Sequence, residues 1–314
     1  MGLRFADMTL DLYLPIARHS VDILLLLGLG TIIGSFSGIF GIGGGFLMTP
    51  LLIMFGIPPT VAAASDSNQI IAAATSGSYA HYRMGHVDLK MGSFLLVGNL
   101  VGGTLGVEII KVLRHLGEAG FLIKATYVVL LSLVGTYMLV ESIRSLRRVA
   151  AGMEGRAGAP LYLRLGQALP WQMYFKKSGV ALSPLLPLLL GGFVGLLAGI
   201  MGLGGGFIMV PLMFYLLGMP MHLVVGTNLF QEAFLCANVT FVQVVTNHLV
   251  DLTLALALAI GSGIGAQIGS RFSAKVNGEQ LRFLLAIIIL AVMIKILLGL
   301  LLHPHYILDM KGIS

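Results

Sequence analysis

Residues 38–50 read GIFGIGGGFLMTP, and residues 199–211 read GIMGLGGGFIMVP. Nine of these thirteen positions are identical. The likeness continues outward. Gly56-Ile57-Pro58 answers Gly218-Met219-Pro220, Ser65-Asp66 answers Thr227-Asn228, and Gln69 answers Gln231. His86 answers His248, and Asp88-Leu89 answers Asp251-Leu252. Gly98, Gly102 and Gly106 repeat at a spacing of four, as do Gly261, Gly265 and Gly269. The offset drifts only from 161 to 163. A register kept over so long a stretch reads as an internal duplication. The repeats fall at residues 21–142 and 179–302, with a tail at 1–20, a joining segment at 143–178 and a second tail at 303–314.

The chain around these motifs is oily. It is 57% hydrophobic and 10% charged, with a mean hydropathy of +0.96. Soluble domains carry about 25% charged residues, so this chain has too few to clothe a water-facing surface. No Asp, Glu, Lys or Arg occurs between Lys177 and Glu232, and further charge-free apolar runs cover residues 23–57, 91–107, 125–140, 233–250 and 252–270. One crossing needs roughly 20 apolar residues. The pattern is that of an all-α polytopic membrane protein. A transmembrane β-barrel would show short alternating segments instead. The first apolar run is too long for a cleaved signal peptide and lacks a small-residue cleavage site. The single cysteine, Cys236, excludes an intramolecular disulfide and a CxxC metal site. The net charge of +6 bears on membrane orientation rather than on nucleic acid.

The joining segment holds Arg144, Arg147, Arg148, Arg156, Arg164, Lys176 and Lys177 against one acid, Glu154. Such a segment belongs on the cytoplasmic side. Its end, with Tyr162, Trp171 and Tyr174, reads either as an interfacial helix at headgroup depth or as a plain basic linker. Each half shows about five apolar segments, near 23–42, 45–56, 60–80, 91–110 and 122–142, then 182–201, 206–217, 221–245, 252–270 and 281–302. Five crossings per half invert the second repeat, whereas four leave it parallel. Five place the turn with Arg271, Lys275 and Arg282 inside and the lysine- and arginine-free turn at 246–251 outside, as the positive-inside rule requires. Lys111, Arg114 and Lys124 flank an outside loop in either arrangement, partly offset by Glu108 and Glu118.

The segments after each glycine cluster, 45–56 and 206–217, are about 18 Å long at ~1.5 Å per residue, short of the roughly 30 Å hydrocarbon core. Each is therefore half of a re-entrant hairpin or of a broken crossing. Backbone at such a break must be satisfied inside protein or beside a polar cavity. Consecutive glycines accept the necessary positive φ. They also expose N–H groups at the start of the next helix, where an anion is attracted. Two such termini from opposite faces would build a midplane site, as in transporters with inverted repeats. The bland alternative is close helix packing, which the four-spaced glycine ladders serve. A P-loop would need Lys-Ser or Lys-Thr after its last glycine, and a dinucleotide fingerprint needs G-x-G-x-x-G after a strand; neither is present.

A second polar signal follows each cluster. Asp66 and Glu232 are ionisable groups inside apolar segments, which marks them as candidates for ion coupling. The candidate substrate-binding residues are Gly43, Gly44, Gly45, Phe46, Ser65, Asn68 and Gln69 in the first half. In the second they are Gly204, Gly205, Gly206, Phe207, Thr227, Asn228 and Gln231. The side-chain polar groups among them would otherwise brace the broken helices. His81, His86 and His248 lack the H-E-x-x-H zinc arrangement and read as loop-end residues. Lys295, in the last span, reads as snorkelling to an interface.

Two copies of G-x-G-G-G-F-x-x-x-P, each ending an apolar run and followed by a G-x-P turn and a small-polar stretch, resemble the TauE/SafE sulfite exporter family, also described as a sulfonate uptake permease group. The resemblance runs from about residue 25 to residue 302. Its motif falls on Gly41, Gly43, Gly44, Gly45 and Pro50, and again on Gly202, Gly204, Gly205, Gly206 and Pro211. It implies transport of sulfite or small organosulfonates, driven by an ion gradient and without a nucleotide-binding domain.

Taken together, these features predict a secondary transporter in a bacterial inner membrane. A small anion and a coupling proton or sodium ion would be its partners, without a cofactor, a metal or nucleic acid, and with a homodimer allowed by the glycine ladders. The competing readings are an anion channel or uniporter of the same architecture, an intramembrane metal-dependent enzyme, and a non-transporting scaffold.

Overall fold

The computed structural model describes residues 11–14, 19–115, 170–201, 204–247 and 251–273, with isolated positions between 126 and 144 and between 283 and 298. The expected segments at 122–142 and 281–302, both tails beyond those positions, His248 and Lys295 lie largely or wholly outside the described residues. What is described is an all-α membrane protein with two short hairpins. In the first half β1 (Asp11–Leu14) pairs antiparallel with β2 (His19–Asp22). Then come α1 (Ile23–Phe40), α2 (Gly45–Met54), α3 (Pro59–Arg83) and α4 (Leu89–His115). The second half repeats the order: β3 (Met173–Phe175) pairs with β4 (Val180–Leu182), followed by α5 (Leu185–Met201), α6 (Gly206–Tyr215), α7 (Met221–Asn247) and α8 (Leu252–Ser273). Helices α1, α4 and α8 are each long and apolar enough to cross a bilayer.

Neither hairpin is legible in the hydropathy pattern. The second turns through Gly179 at φ 68°, so the boundary drawn at 178/179 falls inside it. Over residues 173–182 the basic segment ends in this hairpin, not in an interfacial helix, with Trp171 and Tyr174 exposed. Residues 145–169 lie outside the described residues.

Local chemistry sets the helix ends. Asp22 caps α1 by accepting from the Leu24 N–H at 2.8 Å. Asp88 and Asp251 do the same for α4 and α8, accepting from Met91 N–H at 3.1 Å and Leu254 N–H at 3.3 Å. Pro59 opens α3 in its first turn, where a missing N–H is harmless. Gly41, at φ 73°, closes α1 and donates to the Ser37 carbonyl at 2.8 Å.

The glycine ladders determine which helices meet. A Cβ on Gly30, Gly34 or Gly38 of α1 would collide with backbone at Leu258, Ser262 or Ala266 of α8. One on Gly98, Gly102 or Gly106 of α4 would collide with Leu188, Gly192 or Leu196 of α5. These are backbone-to-backbone contacts of the kind small residues permit. Numbers rise together along both seams, so α1 runs parallel to α8, and α4 to α5. Helix α3 also runs parallel to α8, with Ser65 at Asp251 and Ser76 at Gly263. Helices α3 and α7 run antiparallel, because Gly77 meets Leu229 while Gly226 meets His81.

After α1 the chain folds back on itself. Gly44 stands against Ile33, halfway along α1, and Leu52 and Ile57 pack with Val21 and Leu26 near its start. Helix α2, about 15 Å long at ~1.5 Å per residue, thus returns beside the first half of α1. In the second half Gly205 stands against Val194 and Ala198 of α5.

Candidate functional site

Each glycine cluster turns the chain with consecutive left-handed residues: Gly43 and Gly44 at φ 70° and 85°, and Gly204 and Gly205 at φ 71° and 75°. An L-residue with a Cβ resists this conformation, which explains why both copies spend glycines here. The turns deliver the N-termini of α2 and α6 to the interior, where α3 and α7 cross.

Glu232 of α7 is at the centre. It is fully buried, and its Oε1 accepts from the Gly206 N–H, the first amide of α6, at 3.2 Å. Its Oε2 accepts from the Asn228 amide at 3.2 Å. Asn228 also donates to the Gly41 carbonyl at 2.5 Å, so one side chain ties α7 to the end of α1. Gln231 donates to the Asn228 Oδ1 at 2.7 Å and accepts from the Asn99 amide of α4.

The first half builds a different cluster on the same frame. Asp66 of α3, also fully buried, accepts from the Thr49 hydroxyl of α2 at 2.6 Å and from the Gln69 amide at 3.0 Å. Gln69 reaches the Gly43 carbonyl at 3.5 Å. Its own Oε1 is buried without a hydrogen-bond partner. Among the described residues neither Asp66 nor Glu232 forms an ion pair. Every donor on them is neutral, which is a costly arrangement for two buried carboxyls.

The structure therefore gathers Gly43, Gly204, Gly206, Asp66, Gln69, Asn228, Gln231 and Glu232. Gly44, Gly45 and Gly205 shape the same turns, and Phe207 is buried in the first turn of α6. Three expected residues act elsewhere. Ser65 and Thr227 accept the backbone N–H groups of Asp251 and Asp88 at 3.1 and 2.9 Å, bracing the starts of α8 and α4. Asn68 faces an open groove of about 540 Å³ between α3 and α8, with Ala72 and Ala259 in its walls. Phe46 lies in the first turn of α2. Two contributors were missed, Thr49 and Asn99. Thr49 is one of the four differences between the quoted stretches, facing Val210 in the second copy. Asn99 is a polar residue inside an apolar run and corresponds to Ser262, whose hydroxyl donates to the Gln69 carbonyl at 3.0 Å.

At the α3–α4 turn His81, His86 and His222 form a ring cluster, with centroids 6.0 and 5.4 Å apart. No group of three or more His, Cys, Asp or Glu among the described residues has metal-binding geometry.

Comparison with known proteins agrees with the repeated motif. The sulfite exporter TauE/SafE family matches residues 26–296. The chain is 28% identical to the probable membrane transporter protein YjnA of Bacillus subtilis (strain 168) over 283 residues, 88% of this chain and 100% of that protein. It is 30% identical to a probable membrane transporter protein of Xylella fastidiosa (strain 9a5c) over 238 residues, 75% of this chain and 78% of that protein. Sulfite exporter TauE/SafE family protein 6 of Arabidopsis thaliana is 33% identical over 111 residues, 35% of this chain and 24% of that protein. No solved structure matches the chain. With its paired glycine turns and a family match from residue 26 to residue 296, the chain belongs to the TauE/SafE sulfite exporter family.

Proposed function

We propose that the protein is a multi-pass membrane transporter that moves a small anion, sulfite or an organosulfonate, by alternating access within a fold of two inverted repeats. The observation that carries this reading is the meeting of both glycine turns at a pair of buried carboxyls that, among the described residues, have no cation beside them. A structural brace has no use for two uncompensated acids, whereas a carrier that loads and unloads an ion does. The antiparallel run of α3 and α7, which hold corresponding places in the two halves, supports inversion. The family description supports a sulfur oxyanion, and the relatives' names support transport.

In this reading the anion is held by main-chain N–H groups at the starts of α2 and α6 and by the Gln69, Asn228 and Gln231 amides. Neutral donors suit a substrate that must leave again. Asp66 and Glu232 carry the coupling proton or sodium ion. No covalent step is needed. The basic joining segment faces the cytoplasm, and the membrane is a bacterial inner membrane. The test is uptake of sulfite by proteoliposomes with an imposed proton or sodium gradient. Gradient-driven accumulation is expected. Downhill flux that ignores both gradients would instead make the protein a channel or uniporter.

A further inference from the structure

The Glu232 carboxylate lies where the start of a helix would bind an external anion. Its Oε1 takes the Gly206 N–H at 3.2 Å. The space around it is shaped by missing side chains. A Cβ on Gly206 would stand 2.7 Å from both carboxylate oxygens. A Cβ on Gly204 or on Gly43 would collide with Oε1. Three glycines, drawn from both copies of the motif, thus surround one carboxylate, and the donors on it are a main-chain amide and the Asn228 amide. The other half is built differently. Ile70 takes the place corresponding to Glu232, and a Cβ on Gly43 would meet its methyl at 2.8 Å. The acid of that half, Asp66, sits one turn earlier and is held by Thr49 and Gln69. So α6 starts on an acid, while the matching position beside the first glycine turn is aliphatic.

We propose that Glu232 is a tethered anion: it holds the transported anion's place on the Gly206 amide, and the two exclude each other. The inference rests on reading the protein as an anion transporter. An arriving anion takes over the Gly206 N–H, and the displaced carboxylate takes up one proton from hydronium in the aqueous phase, releasing water. One proton then accompanies each anion, carried by Glu232 itself. Among the described residues, the groups that act on this exchange are few. Asp66 of α3 bears on Glu232 as a like charge, and the Cys236 thiol lies one turn along α7. Helices α1, α2, α5 and α6 contain no Asp, Glu, Lys, Arg or His. Helices α4 and α8 carry theirs near their ends, as Lys90, Glu108, Lys111, Arg114, His115 and Arg271.

The test is equilibrium binding to the purified full chain. Methanesulfonate is the probe, because its charge is constant between pH 5.5 and pH 8. Wild type should bind it more tightly at the lower pH, by up to about tenfold per pH unit for one linked proton. Glu232→Gln should bind tightly at both pH values. Glu232→Ala lacks the atoms of one acetate, so acetate should raise its melting temperature and leave that of wild type unchanged. Equal affinity and an equal pH response in wild type and Glu232→Gln would overturn the proposal and leave the anion-transport reading standing. An Ala variant that folds but ignores acetate would also overturn it. If that variant does not fold, Glu232→Gln decides alone. If neither methanesulfonate, sulfite nor acetate binds wild type or either variant, the anion reading falls and takes this proposal with it.

Discussion

The Asp88 amide donates to the Thr227 hydroxyl at 2.9 Å, joining the start of α4 to α7 across the two halves. Asp251 and Ser65 make the same bond at 3.1 Å in the other direction. Each removes one orphan donor at a helix start, a place where a buried N–H otherwise stays unpaired. Thr227→Val keeps the shape and loses the acceptor. It should cost about 1–3 kcal/mol, read as a lower melting temperature in detergent, and Ser65→Ala should do the same. If these residues brace rather than bind, sulfite affinity in either variant should stay near that of wild type. A changed affinity with unchanged melting would place them in the path instead.

The glycine seams should tolerate no side chain. Gly98→Ala pushes a methyl into the Leu188 carbonyl, and Gly34→Ala into Ser262. Each should destabilise by at least about 1–3 kcal/mol, the usual cost of overpacking. Gly28→Ala is the control, since nothing lies within 4 Å of its added Cβ and alanine favours a helix over glycine by about 1 kcal/mol. Melting of the three variants side by side checks the ordering.

Thr49 should matter to transport because of the carboxylate it holds at 2.6 Å. Thr49→Val installs the residue found at the corresponding Val210 and removes a hydrogen bond to a carboxyl. A loss of about 1.5–3 kcal/mol corresponds to roughly a 10- to 100-fold lower initial uptake rate if the bond is made at the barrier. Asp66→Asn should abolish gradient-driven accumulation of sulfite and leave the folded protein intact. Proteoliposome uptake checks both.

The His86 imidazole lies in the turn after α3. Burial first, then the His222 imidazole and the Lys177 ammonium, push its pKa below the ordinary 6.5. Above 6.5 the folded and unfolded chains both carry it neutral, and its contribution to stability is at its full value. As pH falls below 6.5 the unfolded chain takes a proton that the folded chain refuses, so stability drops until the folded value is passed. His86→Gln should flatten this part of the melting curve between pH 7.5 and 5. An identical pH response in wild type and variant would show that His86 titrates normally.

Much of this architecture was readable because it is written twice. The thirteen-residue stretch, its short following segment and the four-spaced glycines led directly to α1, α2, α4 and their counterparts. Asp66 and Glu232 stood out because an acid in an apolar run has few innocent explanations. What was hidden depends on partners distant in the chain. Ser65 and Thr227 read as ligands or as braces, and the bonds to Asp251 and Asp88 that favour bracing come from partners distant in the chain. Asn68 shares a helix with Asp66 but points into another groove. The hairpins at 11–22 and 173–182 show neither long alternation nor a strong turn pair, so hydropathy passed over them. That Glu232 would sit on the Gly206 amide follows from the inward turn of α6, which no spacing along the chain encodes.

The two parallel seams have a mechanical meaning. The first helix of each half is locked to the fourth of the other: α1 to α8 and α5 to α4. The stiff bodies of this protein are therefore composites, and neither is a contiguous stretch of chain. If the molecule rocks, the divide passes between the α1–α8 pair and the α4–α5 pair, with Asp66 riding on α3 and Glu232 on α7. Separating the gene between its two halves would cut through both bodies at once, and each fragment would carry one side of two unfinished seams.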